Sequence, residues 1–417
     1  MPEAVQDAVS DAAWVRAMLD AEAALAAAEA EVGIVPPASA DAIAEACTRV
    51  ALDPGELGMA ARGSGNPVPA LVRALREAVG GDAAHAVHFG ATSQDALDSA
   101  AMLVAHRALG PILAELDGVA AACARMAHEH RGTLMAGRTL LQQALPVTFG
   151  LKAAVWLSGV TDARARLRAV PLAAQLGGAA GTLAALGDRG PAVLTAFSER
   201  LGLDDPGVPW HAARGRVAEL GAALAIAAGA AEKIALDITL LAQTEVAEVS
   251  ESGGGDSSAM PHKRNPAAAI RARGAARSVR AAAGVLLEAM AGEHERAAGA
   301  WHSEWAALTD ALAGTGGAAA CVRESLEGLT IHTDRMRTNL DATGDLLLAE
   351  HVALLTGDRD AVSRAIDEGR PLGDVLRASR LDEEEIERAL DPATYLGAAD
   401  EFIDRALAAA DERGQTP

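Results

Sequence analysis

Residues 252–266 combine flexible glycines with hydroxyl groups and cations. The segment reads Ser-Gly-Gly-Gly-Asp-Ser-Ser-Ala-Met-Pro-His-Lys-Arg-Asn-Pro. Glycines permit backbone movement, serine hydroxyls can transfer protons, and Lys263 with Asn265 offers a charge and hydrogen bonds to a carboxylate. The spacing differs from that of a phosphate-binding loop, which needs GxxxxGK[ST]. The segment therefore predicts a loop that closes on an anionic substrate, and its composition alone is equally typical of a solvated linker.

A second segment, residues 87–95, places hydroxyl groups at a predicted helix start. Thr92 and Ser93 precede a helical pattern, and Asp95 follows Thr92 by three residues, much as in a capping box. Backbone amides at a helix start attract anions, which favours a binding role. The alternative is an ordinary helix cap with a core histidine at position 88.

A third segment, residues 137–150, predicts on its own only a helix start with polar side chains.

The histidines and glutamates elsewhere do not form HExxH, and the two histidines of His128-Glu129-His130 would point to different faces of a helix. No metal site is therefore expected.

The guanidinium of Arg296 could bind a substrate carboxylate through two hydrogen bonds. An ion pair between Arg296 and a neighbouring glutamate is an equally good interpretation.

The charge balance excludes several classes of function. There are 57 acidic and 36 basic side chains, a net charge of −21, which disfavours binding to nucleic acids or anionic membranes. The three cysteines are far apart and do not form CxxC, so neither a disulfide framework nor a zinc-thiolate site is expected. The sequence shows neither a signal peptide nor a membrane-spanning run, and a cytoplasmic location is expected.

The composition predicts an all-α protein. Apolar residues make up 50% of the 417, aromatic residues only 2%, and alanine and leucine dominate, as in closely packed helices. We expect an N-terminal helical domain (1–100), a central long-helix bundle (101–340) and a small C-terminal helical domain (341–417). Residues 222–231 carry no polar side chain, which favours burial within a homo-oligomer. The long helical patterns lie near 101–131, 140–170, 216–250, 266–291 and 305–328.

The order of residues 257–266 resembles the fumarase/aspartase superfamily fingerprint, Ser-Ser-x-Met-Pro-x-Lys-x-Asn-Pro, at every fixed position. Residues 90–95 resemble its Gly-x-Thr-Ser-x-Asp segment, and residues 137–142 its Gly-Arg-Thr-x-x-Gln segment. With Gln-Gln-Ala-x-Pro-Val-Thr-Phe-Gly-Leu-Lys, the third segment is similar to bacterial 3-carboxy-cis,cis-muconate cycloisomerases. The resemblance covers nearly the whole chain, including residues 9–11, 65–68, 209–211, 243–246, 293–299, 301–305, 339–344 and 391–397.

This resemblance implies an all-α, three-domain fold with a long central helical bundle. It also implies a homotetramer whose sites are shared between subunits, a small di- or tricarboxylate substrate, and no cofactor. Ser257 would be the catalytic base or acid at carbon, and Lys263 would act with it. The implied substrate contacts are His88, Thr92, Ser93, Thr139, Gln142, Ser258, Met260, Asn265 and Arg296.

Two apolar residues reduce the number of reactions that the resemblance allows. Adenylosuccinate lyases carry a histidine where Leu140 stands and an orienting glutamate where Ile270 stands. The absence of both the histidine and the glutamate argues against cleavage of adenylosuccinate or argininosuccinate, because no proton shuttle remains. The resemblance implies instead conversion of 3-carboxy-cis,cis-muconate to 4-carboxymuconolactone, in which a carboxylate adds to its own diene through a carbanion.

Two departures from the cycloisomerase pattern keep other hypotheses open. Ala212-Ala213 stands where related chains have polar residues, and the region around 355–375 is shortened. A changed pocket wall favours a lyase that eliminates a nitrogen leaving group from a substituted succinate, such as nitrosuccinate or an N-substituted aspartate. A helical scaffold without activity is the third hypothesis, and the intact set of Ser257, Lys263 and Asn265 disfavours it.

Overall fold

Helices account for most of the computed structural model, which describes residues 1–252, 255, 256, 260 and 262–414, without the side chains of 255, 256, 413 and 414. The predicted all-α class is confirmed. Within these ranges, no helix is both long enough and apolar enough to cross a membrane. The helices are α1 (Glu3–Ala8), α2 (Asp11–Glu31), α3 (Pro37–Arg49), α4 (Pro54–Ala60), α5 (Val68–Val79), α6 (Ser93–Glu129), α7 (Phe149–Ala169), α8 (Gly190–Leu201), α9 (Gly215–Leu241), α10 (Ala267–Glu288), α11 (Ala300–Glu327), α12 (Thr333–Asp341), α13 (Ala349–Thr356), α14 (Arg359–Asp367), α15 (Leu372–Ala378), α16 (Glu383–Ala389) and α17 (Ala399–Gly414).

Short strands pair in two-stranded antiparallel ladders. They are β1 (Leu134–Thr139) with β2 (Gln142–Thr148), β3 (Val249–Glu251) with β6 (Leu329–Ile331), and β4 (Gly255–Asp256) with β5 (Arg264–Asn265). Each ladder lies beside a segment that the sequence marks as functional. The strands therefore serve local positioning, while helices supply the core.

The prediction of a helix from about residue 140 is wrong at its start. Residues 134–148 form the β1–β2 hairpin, and helix α7 begins only at Phe149. Leu140 and Leu141 turn the chain with φ angles of 51° and 66°, in the left-handed region. Pro146 lacks the amide that a helix interior needs, and β-branched Val147 and Thr148 favour a strand. These local preferences outweigh the apolar spacing that predicted a helix.

The chain divides into two compact units, each built from three stretches of sequence. Unit 1 comprises residues 1–115, 166–229 and 274–320, and unit 2 comprises residues 116–165, 230–273 and 321–417. In unit 1, α2 packs on α3 and α8. In unit 2, helices α13 to α16 bury a cluster that includes Val352, Leu372, Leu376 and Ile386. The division into domains 1–100, 101–340 and 341–417 stays a prediction.

Glu29 lies on α2 with its side chain fully buried in unit 1. Neither carboxyl oxygen has a hydrogen-bond partner among the residues that the structure describes. Burial, helped by the charge of Glu22, raises the pKa of Glu29 from 4.5 to about 8. The folded chain therefore keeps this proton at pH values where the unfolded chain has lost it, and stability must fall as the pH rises from 4.5 towards 8.

Glu29→Gln is expected to remove this pH dependence. The variant should gain stability over the wild type by about 1.4 kcal/mol per pH unit above pH 5, or about 3 kcal/mol at pH 7. Urea unfolding of both proteins between pH 5 and pH 8 measures the difference. Glu29→Met should give the same slope, since it also lacks the titrating group. Parallel pH curves for wild type and variants would contradict the prediction.

Candidate active site

The start of α6 in unit 1 is organised by the buried carboxylate of Asp95. The Thr92 amide donates to Asp95 Oδ2 over 2.9 Å, and the Asp95 amide donates to the Thr92 carbonyl oxygen. The same carboxylate accepts from the amides of Gly177 and Gly178, at 2.8 and 2.9 Å, and lies 2.6 Å from His211 Nε2. Asp95 thus holds a helix start, a glycine turn and a histidine together, and it fixes the backbone around Thr92 and Ser93.

His88 is held beside this helix start by Glu22 of α2. Its Nδ1 lies 2.6 Å from Glu22 Oε1, and Glu22 is buried. Burial, the largest single cause, lowers the pKa of His88, but the charge and hydrogen bond of Glu22 together with the charge of Asp95 outweigh it, so that the pKa lies above the ordinary 6.5. The backbone of His88 is left-handed, with φ at 59°. His88 is therefore a fixed, readily charged group, which suits the predicted contact with an anion.

Arg296 is anchored in unit 1 by uncharged acceptors. Its Nε donates to Gln94 Oε1 over 3.1 Å, and its Nη2 donates to the carbonyl oxygens of Ala179 and Gly178 at 3.1 and 3.4 Å. Neutral acceptors orient a guanidinium without cancelling its charge. Because all three acceptors are uncharged, this geometry fits the predicted carboxylate clamp better than the alternative of an ion pair with a neighbouring glutamate.

In unit 2, the β1–β2 hairpin carries Thr139 and Gln142 at its exposed end, where they pair across the turn. Arg138 anchors the hairpin by a bidentate pair to the buried Glu248 carboxylate, at 2.9 and 2.7 Å. Asn339 donates to the same carboxylate over 2.8 Å. The hairpin is thus anchored through Arg138, while Thr139 and Gln142 at its end are exposed.

The loop that carries the proposed catalytic serine is fixed at its base. Glu251 accepts from the amides of Ala268 and Ala269, both at 3.0 Å, and from Ser325 Oγ at 2.6 Å. Its carboxylate therefore satisfies amides that the first turn of α10 leaves without partners. Strands β4 and β5 also pair across the loop. The loop ends are positioned where α10 begins.

Glu251→Gln should loosen the loop base, since the amide side chain offers one acceptor oxygen where the carboxylate offers two. We expect a loss of about 1 kcal/mol of stability and faster amide exchange in the first turn of α10. Hydrogen-exchange mass spectrometry of peptides covering residues 262–275 measures this. Glu324→Gln, which removes the exposed ion pair between Glu324 of α11 and Arg271 of α10, is the matched control and should leave that exchange unchanged. Equal exchange in both variants would contradict the prediction.

The remaining predicted residues of the loop fall partly outside the described ranges. Ser257 and Ser258 lie outside the described residues. Met260 and Lys263 are exposed, and the Lys263 amide donates to the Met260 carbonyl oxygen over 3.0 Å. Asn265 is half-buried in β5. Unit 1 therefore holds four of the predicted contacts, His88, Thr92, Ser93 and Arg296, and unit 2 holds the others that are described, Thr139, Gln142, Met260, Lys263 and Asn265.

Sequence reasoning did not assign roles to several residues that organise these segments. They are Gln94, Asp95, His211, Arg138, Glu248 and Glu251, of which Asp95 was considered only as a helix cap. The sequence could have indicated these residues, since most of them lie inside or beside the segments that resemble the superfamily. Across the described part of the chain, no three His, Cys, Asp or Glu side chains lie close enough to hold a metal ion.

The chain is similar to known proteins in both sequence and structure. A family model described as "Lyase" matches residues 3–281. A nitrosuccinate lyase of Streptomyces davaonensis is 46% identical, with 98% of this chain and 93% of that protein covered. A 3-carboxy-cis,cis-muconate cycloisomerase of Bradyrhizobium diazoefficiens is 43% identical, with 97% and 95% covered. The crystal structure of the 3-carboxy-cis,cis-muconate lactonizing enzyme of Pseudomonas putida aligns with a TM-score of 0.89 at 39% identity, covering 99% of this chain and 98% of that chain.

Proposed function

The chain is an enzyme of the fumarase/aspartase superfamily, and we propose that it converts 3-carboxy-cis,cis-muconate to 4-carboxymuconolactone. The proposal is supported by relatives of that name at 36–43% identity. Both substrate and product are small polycarboxylates. An acidic chain can bind them only through local clusters of cations and amides, such as those described above.

The observation that carries the proposal, against a lyase that releases an amine, is the aliphatic character of two exposed positions. Leu140 at the hairpin turn is 96% exposed, and Ile270 in α10 is 49% exposed. Neither side chain can give a proton to a leaving group. A ring closure within one substrate molecule needs no such donor, whereas release of an amine does. The chemistry of both positions therefore fits lactone formation.

In the proposed reaction, a carboxylate oxygen forms a bond to a carbon of its own conjugated system. The displaced electron pair moves to the neighbouring carbon, where it is shared with another carboxylate. Lys263, Asn265 and the amides near Thr92 stabilise that doubly charged group, which is the most demanding state of the reaction, while Arg296 binds a different carboxylate of the substrate. Ser257 then gives its proton to the carbon, the lactone is complete, and the serine alkoxide takes a proton from solvent before the next turnover.

The predicted site residues are divided between the two units, and we propose that a homotetramer assembles its sites from segments of different subunits. Apolar side chains exposed on the long helices support association. Light scattering should give four times the 42.4 kDa of one chain. A monomeric, active protein would contradict this. The exposed side chains include Val155 on α7, Ile226 on α9 and Val285 on α10.

Elimination of nitrite from nitrosuccinate is the second candidate. The nitrosuccinate lyase relative favours it, and nitrite leaves as a stable anion without a proton donor, so that Leu140 and Ile270 fit this reaction as well. Ala212 and Ala213 also favour it. They lie against residues 291–292, shortly before Arg296 in the chain, and carry only methyl groups there.

Parallel assays of both substrates test the proposal. Purified protein is mixed with 3-carboxy-cis,cis-muconate, and loss of the diene's ultraviolet absorbance is followed, with the product identified by NMR. Nitrosuccinate is assayed for fumarate and nitrite. Lactone formation with a kcat/KM at least tenfold above that for nitrosuccinate supports the cycloisomerase. The reverse ratio supports the lyase, and inactivity on both refutes the proposal.

A further inference from the structure

Gln94, in the first turn of α6, links Arg296 to the interior of unit 1. The side chain is 1% exposed. Its Oε1 accepts from Arg296 Nε over 3.1 Å, while its Nε2 donates to the His211 carbonyl oxygen at 2.9 Å and to Asp98 Oδ2 at 3.1 Å. All the polar atoms of this amide are therefore used, and each bond matches a donor with an acceptor.

The orientation of the Gln94 amide is fixed by these partners. Turning the amide over would place its NH2 group against the Arg296 N–H and its oxygen against a carboxylate and a carbonyl. Each of these contacts would be repulsive. The Asp98 carboxylate is itself held by a bidentate pair with Arg214, at 2.7 and 2.9 Å, and by Trp301 Nε1 at 2.9 Å. A buried ion pair thus orients the amide oxygen towards Arg296.

We propose that Gln94 is a positioning residue that directs Arg296 towards a substrate carboxylate. The proposal rests on the proposed function, in which Arg296 contacts substrate. With Nε held by Gln94 and Nη2 held by two carbonyl oxygens, the guanidinium plane is fixed on two sides. Its Nη1 has no acceptor among the residues that the structure describes. That edge of the guanidinium is left for a ligand.

The chemistry of the free edge indicates the ligand class. A fixed, uncompensated guanidinium edge suits a carboxylate, and it favours the more highly charged of two related anions. Tricarballylate, a saturated tricarboxylate that cannot react, should therefore bind more tightly than succinate. Gln94 contributes by keeping Arg296 in place before the substrate arrives, which lowers the cost of ordering a long side chain on binding.

Gln94→Met tests the proposal because methionine fills similar space without polar amide atoms. We expect tricarballylate affinity by calorimetry to fall about tenfold and succinate affinity to fall less. With the substrate that the wild type turns over, KM should rise about tenfold while kcat changes by less than about threefold, as expected for lost ground-state binding.

Trp301→Phe is the matched control. It removes a hydrogen bond to the same Asp98 carboxylate but leaves the Gln94 to Arg296 bond in place. Its stability should fall, while tricarballylate affinity and KM should stay within about twofold of wild type. A tenfold loss of affinity in Trp301→Phe as well would mean that any loosening of the ion pair acts on the site, which overturns a specific role for Gln94.

A crystal structure of Gln94→Met separates this proposal from the proposed function. Arg296 should move away from the Ala179 carbonyl oxygen once its Nε has lost its acceptor. An unmoved Arg296, or unchanged tricarballylate binding, overturns the role of Gln94 whatever the enzyme acts on. A wild type that binds tricarballylate but turns over neither substrate refutes the proposed function alone.

Discussion

Replacing Ser257 with alanine is expected to lower kcat by about 10²- to 10⁴-fold on whichever substrate the enzyme turns over, which is the usual contribution of proton transfer by a positioned side chain. In the proposed reaction the hydroxyl is the only group that exchanges a proton with carbon. Substrate binding through Lys263, Asn265 and Arg296 does not involve that hydroxyl. KM should consequently change much less than kcat, and steady-state kinetics of the purified variant measures both.

Ser258→Ala is the matched control for this prediction. The substitution removes a hydroxyl of the same kind at the neighbouring position but keeps the backbone amide, so that a substrate contact of Ser258 through that amide would remain. We expect a loss of at most about tenfold, as for one neutral hydrogen bond. If Ser258→Ala were the inactive variant and Ser257→Ala retained activity, the assignment of the proton-transferring serine would be reversed.

Sequence patterns predicted the fold where structure follows local preference. Long alanine- and leucine-rich runs predicted helices that the structure has as α6, α9, α10 and α11. Helix propensity sums over such runs, so their existence is readable although their ends are not. The same reasoning failed at the β1–β2 hairpin, because two successive leucines adopt left-handed φ angles that spacing of apolar residues does not reveal.

In the candidate site too, some residues could be predicted from the sequence and others could not. Motifs indicated Thr92, Lys263 and Arg296 as candidate site residues, and these roles stay predictions. The groups that hold them were not predicted, since their partners are distant in sequence. Asp95 and His211 are 116 positions apart, and Arg296 and Gln94 are 202 apart. No periodicity within one helix or strand encodes such pairings, and only packing of the folded chain brings them together.

A buried arginine in unit 1 is expected to contribute strongly to the free energy of unfolding. Arg214, 2% exposed, pairs with the carboxylates of Asp98 and Glu304 and lies over the Trp210 ring at 4.6 Å. Two carboxylates share one guanidinium, so that removing the arginine would leave two negative charges buried together. Burial already raises the pKa of Glu304 even with Arg214 beside it. The arginine is therefore the group on which both carboxylates depend.

Arg214→Met is expected to lower the free energy of unfolding by about 3–5 kcal/mol at pH 8, the range for breaking a buried ion pair by removing one partner. Arg200→Met, which removes an exposed pair with Glu31, should cost less than about 1 kcal/mol. Urea unfolding at matched protein concentrations measures both.

The loss in Arg214→Met should shrink as the pH falls towards 5. Without the guanidinium, which lowers the pKa of Glu304, that pKa rises further in the folded variant, and the folded state binds more protons than the unfolded chain. A group of this kind destabilises the fold above its unfolded pKa, and the penalty disappears as the pH falls to that value. Adding Glu304→Gln to Arg214→Met should recover part of the loss at pH 8 for the same reason. A loss that is independent of pH and unchanged by Glu304→Gln would mean that Arg214 acts through packing on Trp210 and not through its charge.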